Sequence, residues 1–143
     1  MGTIALADVD VPKTLAAGLA LNRAAFGLTY LLRPQQAHTS WIGRAAKKPG
    51  AQVMIRSQAI LDVALGAGAL RAVARGNTAE LRAWVIGHTL SDLSDLAVTW
   101  IARDDLPKRR ARLAIAIAGA SAIVGGAAAA GLTRPTGTGT SAG

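Results

Sequence analysis

The chain has 143 residues, of which 51% are hydrophobic, 17% charged and 3% aromatic, with a net charge of +8. No cysteine is present, which excludes disulfides, thiolate metal sites and a Cys nucleophile, and no P-loop, dinucleotide-binding glycine pattern or nucleophile elbow occurs. The apolar content is mostly Ala, Leu, Ile and Val, which favours helices over strands, and the basic residues fall between apolar segments, where lipid phosphates rather than nucleic acid would meet them.

Residues 1–11 hold Asp8 and Asp10 and no Lys or Arg, the wrong charge for a signal peptide, so a short N-terminal segment is expected before a retained first helix. That helix is predicted over 12–32, with Pro12 suited to the first turn and Pro34 just past the end. Asn22 and Arg23 lie in its interior, and Ala16, Ala20 and Ala24 recur every four residues as a packing face. Residues 33–53 read as a polar connection with a Pro49-Gly50 turn, in which Trp41 anchors a short interfacial turn.

A second helix is predicted over 54–73, carrying Arg56, Asp62 and the row Ala64, Gly68, Ala72. Asn77 or Thr78 is placed to cap the next helix, with Glu80 in its first turn, so the second and third helices form a tight antiparallel hairpin.

The third helix, 81–102, is bounded by Trp84 and Trp100, roughly 24 Å apart at the helical rise. His88, Asp92 and Asp95, at i, i+4 and i+7, share one face. Ser91 and Ser94 are expected to bond back to carbonyls one turn earlier rather than to form a triad, and one His with two Asp is a weak metal signal, so neither an enzyme nor a metal or other cofactor is expected.

The fourth helix, 113–133, is free of charge over its length and carries the row Ala118, Ala122, Gly126, Ala130 as its packing surface. Residues 134–143 have little to bury and read as a disordered tail.

These elements predict an all-α protein, a four-transmembrane-helix antiparallel bundle in the plasma membrane. Nine Lys and Arg in the loops after the first and third helices, against five on the other side, place both termini outside. Counting from helix ends puts Arg23, Asp62 and Asp92 at one depth, with Asp95 and Arg56 nearer the cytoplasm and His88 nearer the outside. Unpaired charges at these depths are costly, so Arg23 is expected to pair with Asp62 or Asp92, and Arg56 with Asp95. Two Arg against three Asp leave one carboxylate without a full counter-charge, a candidate proton site.

The motifs Arg23-Ala-Ala-Phe-Gly27, Pro34 to Trp41-Ile-Gly43, Asp62-Val-Ala-Leu-Gly66 and Asp92-Leu-Ser-Asp95-Leu resemble those of small four-helix integral membrane proteins of unknown function, common in actinobacteria. The resemblance spans roughly residues 14 to 130 and implies a four-helix membrane bundle without assigning an activity; relatives are expected to carry Arg where this chain has Leu61. The expected function is a structural or accessory membrane component, in contact with lipid and forming a homo-oligomer or part of a larger complex. The alternative is a proton-linked carrier or binding protein for a small or lipophilic molecule.

Overall fold

A computed structural model describes residues 10–133, except for the side chains of 36–38; the expected 134–143 tail and residues 1–9 of the N-terminal segment lie outside the described residues. Five α-helices, α1 (Val11–Leu32), α2 (Pro34–Ile42), α3 (Pro49–Ala74), α4 (Thr78–Ile101) and α5 (Lys108–Gly131), follow one another, with a 3₁₀ turn at Gly43–Lys47 between α2 and α3. No strand occurs among the described residues.

Among the described residues the count is five rather than four because Pro34, read as a stop, opens a helix of its own, and Pro49, read as a turn signal, lengthens the next. Pro34 opens α2 and Pro49 opens α3, since proline's missing N–H costs nothing in a first helical turn. The polar connection is therefore mostly helical, α3 begins at Pro49 rather than 54, and α5 takes in the basic run from Lys108.

The α3–α4 hairpin is closed by chemistry local to three residues. Gly76 adopts φ +64° and donates to the Val73 carbonyl, and the Asn77 N–H reaches the Ala72 carbonyl, a Schellman closure that satisfies the last carbonyls of α3. Asn77 then caps α4, its side chain accepting from the Glu80 N–H at 3.0 Å.

Helices α1, α3, α4 and α5 pack in a ring in chain order, each antiparallel to the next, with α1 tightest on α3 and α4 on α5. Small residues permit this closeness. A methyl built on Gly27 would stand 2.8 Å from the Ala59 carbonyl oxygen, and one on Gly66 2.7 Å from that of Ala20. At the end holding the start of α1, the end of α5 and the hairpin, Ala16, Ala20, Ala69, Ala72, Leu81, Val85, Ala128, Ala129 and Leu132 form the apolar core. Across the other end lies α2, held by the Trp41 indole N–H donating to Thr99 Oγ1 at 3.2 Å and by Arg110 donating to the Thr39 carbonyl at 2.7 Å. Trp41 is thus partly buried against α4, in a helix instead of anchoring the expected short interfacial turn.

Within the bundle the expected packing row on α5 is half buried. Ala118 and Ala122 are buried, but nothing lies within 4 Å of a methyl built on Gly126, and Ala130 is exposed; the buried line continues instead through Gly125, Ala128 and Ala129. A strict four-residue repeat drifts by about 40° per step around a 3.6-residue helix, so it cannot stay on one face. Similarly, Ala64 of the row on α3 is exposed, and Ala59, Asp62, Gly66 and Ala69 face inward.

Among the described residues three helices, α1, α3 and α5, are long and apolar enough to cross a membrane by length and composition. The expected fourth, α4, is long enough at 24 residues but is not among them. Its His88, Thr89, Ser91, Asp92, Ser94 and Asp95 dilute its apolarity within three turns.

Candidate functional site

Midway along the bundle the apolar core gives way to a polar layer. The periodicity of α4 explains why its polar residues turn inward: Leu81, Val85, His88, Asp92 and Thr99 form one buried line at heptad-like spacing, so the polar residues continue the same stripe as the apolar ones. Asp62 enters the layer from α3 by the same logic, on the line of Ile55, Ala59 and Gly66.

Arg23 on α1 joins the two. One terminal nitrogen donates to Asp62 Oδ1 at 2.5 Å and to Ser91 Oγ at 3.2 Å, and the other donates to Asp92 Oδ1. The remaining Asp92 oxygen accepts from Ser121 Oγ of α5 at 2.5 Å. All four ring helices thus contribute to one hydrogen-bonded unit in which a single guanidinium serves two carboxylates. A forked guanidinium suits this task, because its donors point in fixed, separate directions.

Arg56 does not belong to this unit. It is exposed, it makes no ion pair with Asp95, and it lies next to the inward residue Ile55, about 100° around the helix from it. Ser91 also differs from expectation, since it accepts from Arg23 instead of bonding back along its own helix. Asp95 lies one turn further along α4, partly buried and outside the ion pairs.

His88 is 2% exposed, and its Nε2 has no hydrogen-bond partner among the described residues. The Leu65 carbonyl faces the other side of the ring and takes a hydrogen bond from it. In the neutral imidazole this leaves Nε2 as an acceptor with a free lone pair.

A cavity of about 250 Å³ opens beside the layer, reached by Arg23, Asp62, His88, Asp92 and Asp95, floored by Tyr30, Trp41 and Arg110 and walled by Leu113, Ala114 and Ile117. Phe26, Leu113 and Ile117 are about half exposed or more, from 49% to 61%, so the opening faces sideways between α1 and α5. The two helices touch near their termini, where Gly131 meets Pro12. Phe26 and Tyr30 form a tilted ring pair at the mouth, with centroids 5.8 Å apart.

Sequence reasoning passed over Ser121, Arg110, Gln58 and Gly125 as site residues. Ser121 carried a signal, as the one hydroxyl inside the otherwise apolar run of α5. Gly125 carried none: only the fold shows that a methyl there would stand 2.5 Å from the Thr89 hydroxyl. Among the described residues no group of three or more His, Asp or Glu is arranged to hold a metal ion.

The fold and site define an all-helical bundle with three membrane-capable helices and a laterally open polar cavity. Comparison with protein-family models, curated proteins and solved structures finds no match.

Proposed function

We propose that this chain is a multi-pass membrane protein of the plasma membrane that binds a small amphiphilic molecule in the cavity between α1 and α5. The observation that carries this reading is the conjunction of a roughly 250 Å³ cavity with a buried His88 nitrogen that no group among the described residues satisfies. An unsatisfied buried polar atom costs about 1–3 kcal/mol, and a ligand that pairs with it recovers that cost.

In this reading α4 is the fourth span, with both termini outside. Its His88, Asp92 and Thr99 are buried in the bundle rather than turned to lipid, which is how intramembrane polar groups are tolerated. The nine basic residues at the α2 end against five at the other support the orientation. Arg23, Gly27, Asp62, Gly66 and Asp92 of the quoted motifs are contact residues between helices.

The test is purification of the tagged chain from native membranes in mild detergent, followed by mass spectrometry of the small molecules it retains. A stoichiometric amphiphile, lost in Ala114→Phe, is the expected result; an empty preparation counts against the reading. A second reading, an accessory subunit, draws on the open space at Gly126 on the outer side of α5. It predicts a stoichiometric protein partner or homo-oligomer that Gly126→Leu disrupts.

A further inference from the structure

The charge inside the cavity is unbalanced in one direction. Of its charged lining residues three are carboxylates, Asp62, Asp92 and Asp95, and two are guanidinium groups, Arg23 and Arg110. Arg23 is shared between Asp62 and Asp92, and Arg110 donates to the Thr39 carbonyl, which leaves Asp95 without an ion pair or hydrogen bond among the described residues. The other unmatched group, His88 Nε2, is also an acceptor when the ring is neutral and its second nitrogen serves the Leu65 carbonyl. Both vacancies therefore call for a donor, and the negative excess calls for a cation.

The lining adds two further constraints. Aromatic faces from Phe26, Tyr30 and Trp41 suit a cation, which the ring quadrupole attracts. The mouth is apolar, with Leu113 57% and Ile117 61% exposed, so whatever enters sideways has to carry an apolar part that can lie between α1 and α5. The cavity is slightly smaller than the roughly 300–1,000 Å³ of drug-sized sites, enough for a head group with its tail outside.

Resting on the reading above that the cavity binds an amphiphile, we infer that its ligand is an ammonium-headed amphiphile with at least one N–H. The head sits between Asp95 and His88 Nε2, and the alkyl chain leaves between Phe26 and Ile117 toward the lipid. A quaternary ammonium meets the charge but cannot donate to His88, and a carboxylate or sulfate amphiphile meets Asp95 with like charge.

The experiment uses the full chain in phosphatidylcholine nanodiscs, titrated with n-decylammonium, n-decyltrimethylammonium, n-decanol and n-decanoate, and read by intrinsic tryptophan fluorescence with empty discs as the partition control. The expected result is saturable decylammonium binding, weakened by about tenfold or more in Asp95→Asn and in His88→Leu, with the trimethylated, neutral and anionic probes weaker by a similar factor. Both variants spare the Arg23 ion pairs, and unchanged melting in detergent checks that each still folds. Equal affinity for decanol and decylammonium, or wild-type affinity for decylammonium in both variants, overturns the inference while leaving an amphiphile site in place. No saturable binding of any probe, with Ala114→Phe indistinguishable from wild type, overturns both. Discs containing phosphatidylethanolamine separate two sources of the same chemistry: competition with decylammonium identifies a bilayer aminolipid, and no competition identifies a free amine.

Discussion

Arg23 on α1 and Asp62 on α3 stand 2.5 Å apart, nitrogen to oxygen, with both side chains about nine-tenths buried. The same guanidinium also holds Asp92 on α4, so removing it would strand two carboxylates inside the bundle. Breaking a buried pair by deleting one partner costs about 3–5 kcal/mol, far more than the net worth of the intact pair. Arg23→Leu is therefore expected to lower stability by at least that much in a detergent unfolding titration. The combination Arg23→Leu with Asp62→Asn and Asp92→Asn recovers most of the loss. A single Arg23→Leu that unfolds like wild type would show that the pairs carry little.

The α1–α3 contact makes an equally sharp prediction from two glycines. A methyl on Gly66 meets the Ala20 carbonyl oxygen at 2.7 Å and the Ala24 Cβ at 2.8 Å, whereas nothing lies within 4 Å of one on Gly18. Gly66→Ala is expected to destabilise by about 1–3 kcal/mol through overpacking. Gly18→Ala is expected to be neutral or stabilising by up to about 1 kcal/mol, since Ala is the better helix former. Thermal melts of the two variants side by side check the contrast.

Whether α4 crosses the membrane is decided by the sides on which its ends lie. The chain has no cysteine, so single cysteines report without background. Ala79 lies in the first turn of α4 and Asp105 just past its end, and both are exposed. Ala79→Cys is expected to react with a membrane-impermeant maleimide on intact cells, and Asp105→Cys only after lysis. Labelling of both from one side would remove α4 as a span.

At the N-terminus of α1 the Asp10 side chain accepts from the Lys13 N–H at 3.2 Å and pairs with Lys13 Nζ at 2.8 Å. The Lys13 side chain, then its backbone N–H, holds the Asp10 carboxyl below its usual 3.8. A group whose folded pKa is depressed adds stability that is present above the unfolded pKa and is lost as the pH falls through the folded one. The first turn of α1 is thus expected to keep its cap at neutral pH and to lose it only in acid below 3.8. In an NMR titration the Asp10 carboxyl midpoint should lie below that value and rise in Lys13→Gln.

Much of this architecture is readable along the chain. Alanine-rich apolar runs, Pro12 in a first turn and Asn77 before Glu80 determine where most helices begin and end, because capping and propensity are local. Counting residues from helix ends puts Arg23, Asp62 and Asp92 at a common depth, and those are the three that the ion pairs join. Locality also explains what was misread. Pro34 and Pro49 carry the same covalent constraint whether they follow one helix or open the next, and only the fold distinguishes the two.

Facing and contact were decided by tertiary structure alone. Arg56 and Arg23 are the same residue type within apolar helices, yet one points out and the other serves two carboxylates, because the rotation of each helix is set by what its neighbours can accommodate. Gly125 became a contact and Gly126 did not, since a helix buries a stripe of about 3.6-residue period and not a four-residue repeat. The cavity belongs wholly to this second level. It exists because α1 and α5 meet near their termini while α2 spans the far end, so the space beside Asp95 and His88 is left open by the relative placement of helices, a property no single segment carries.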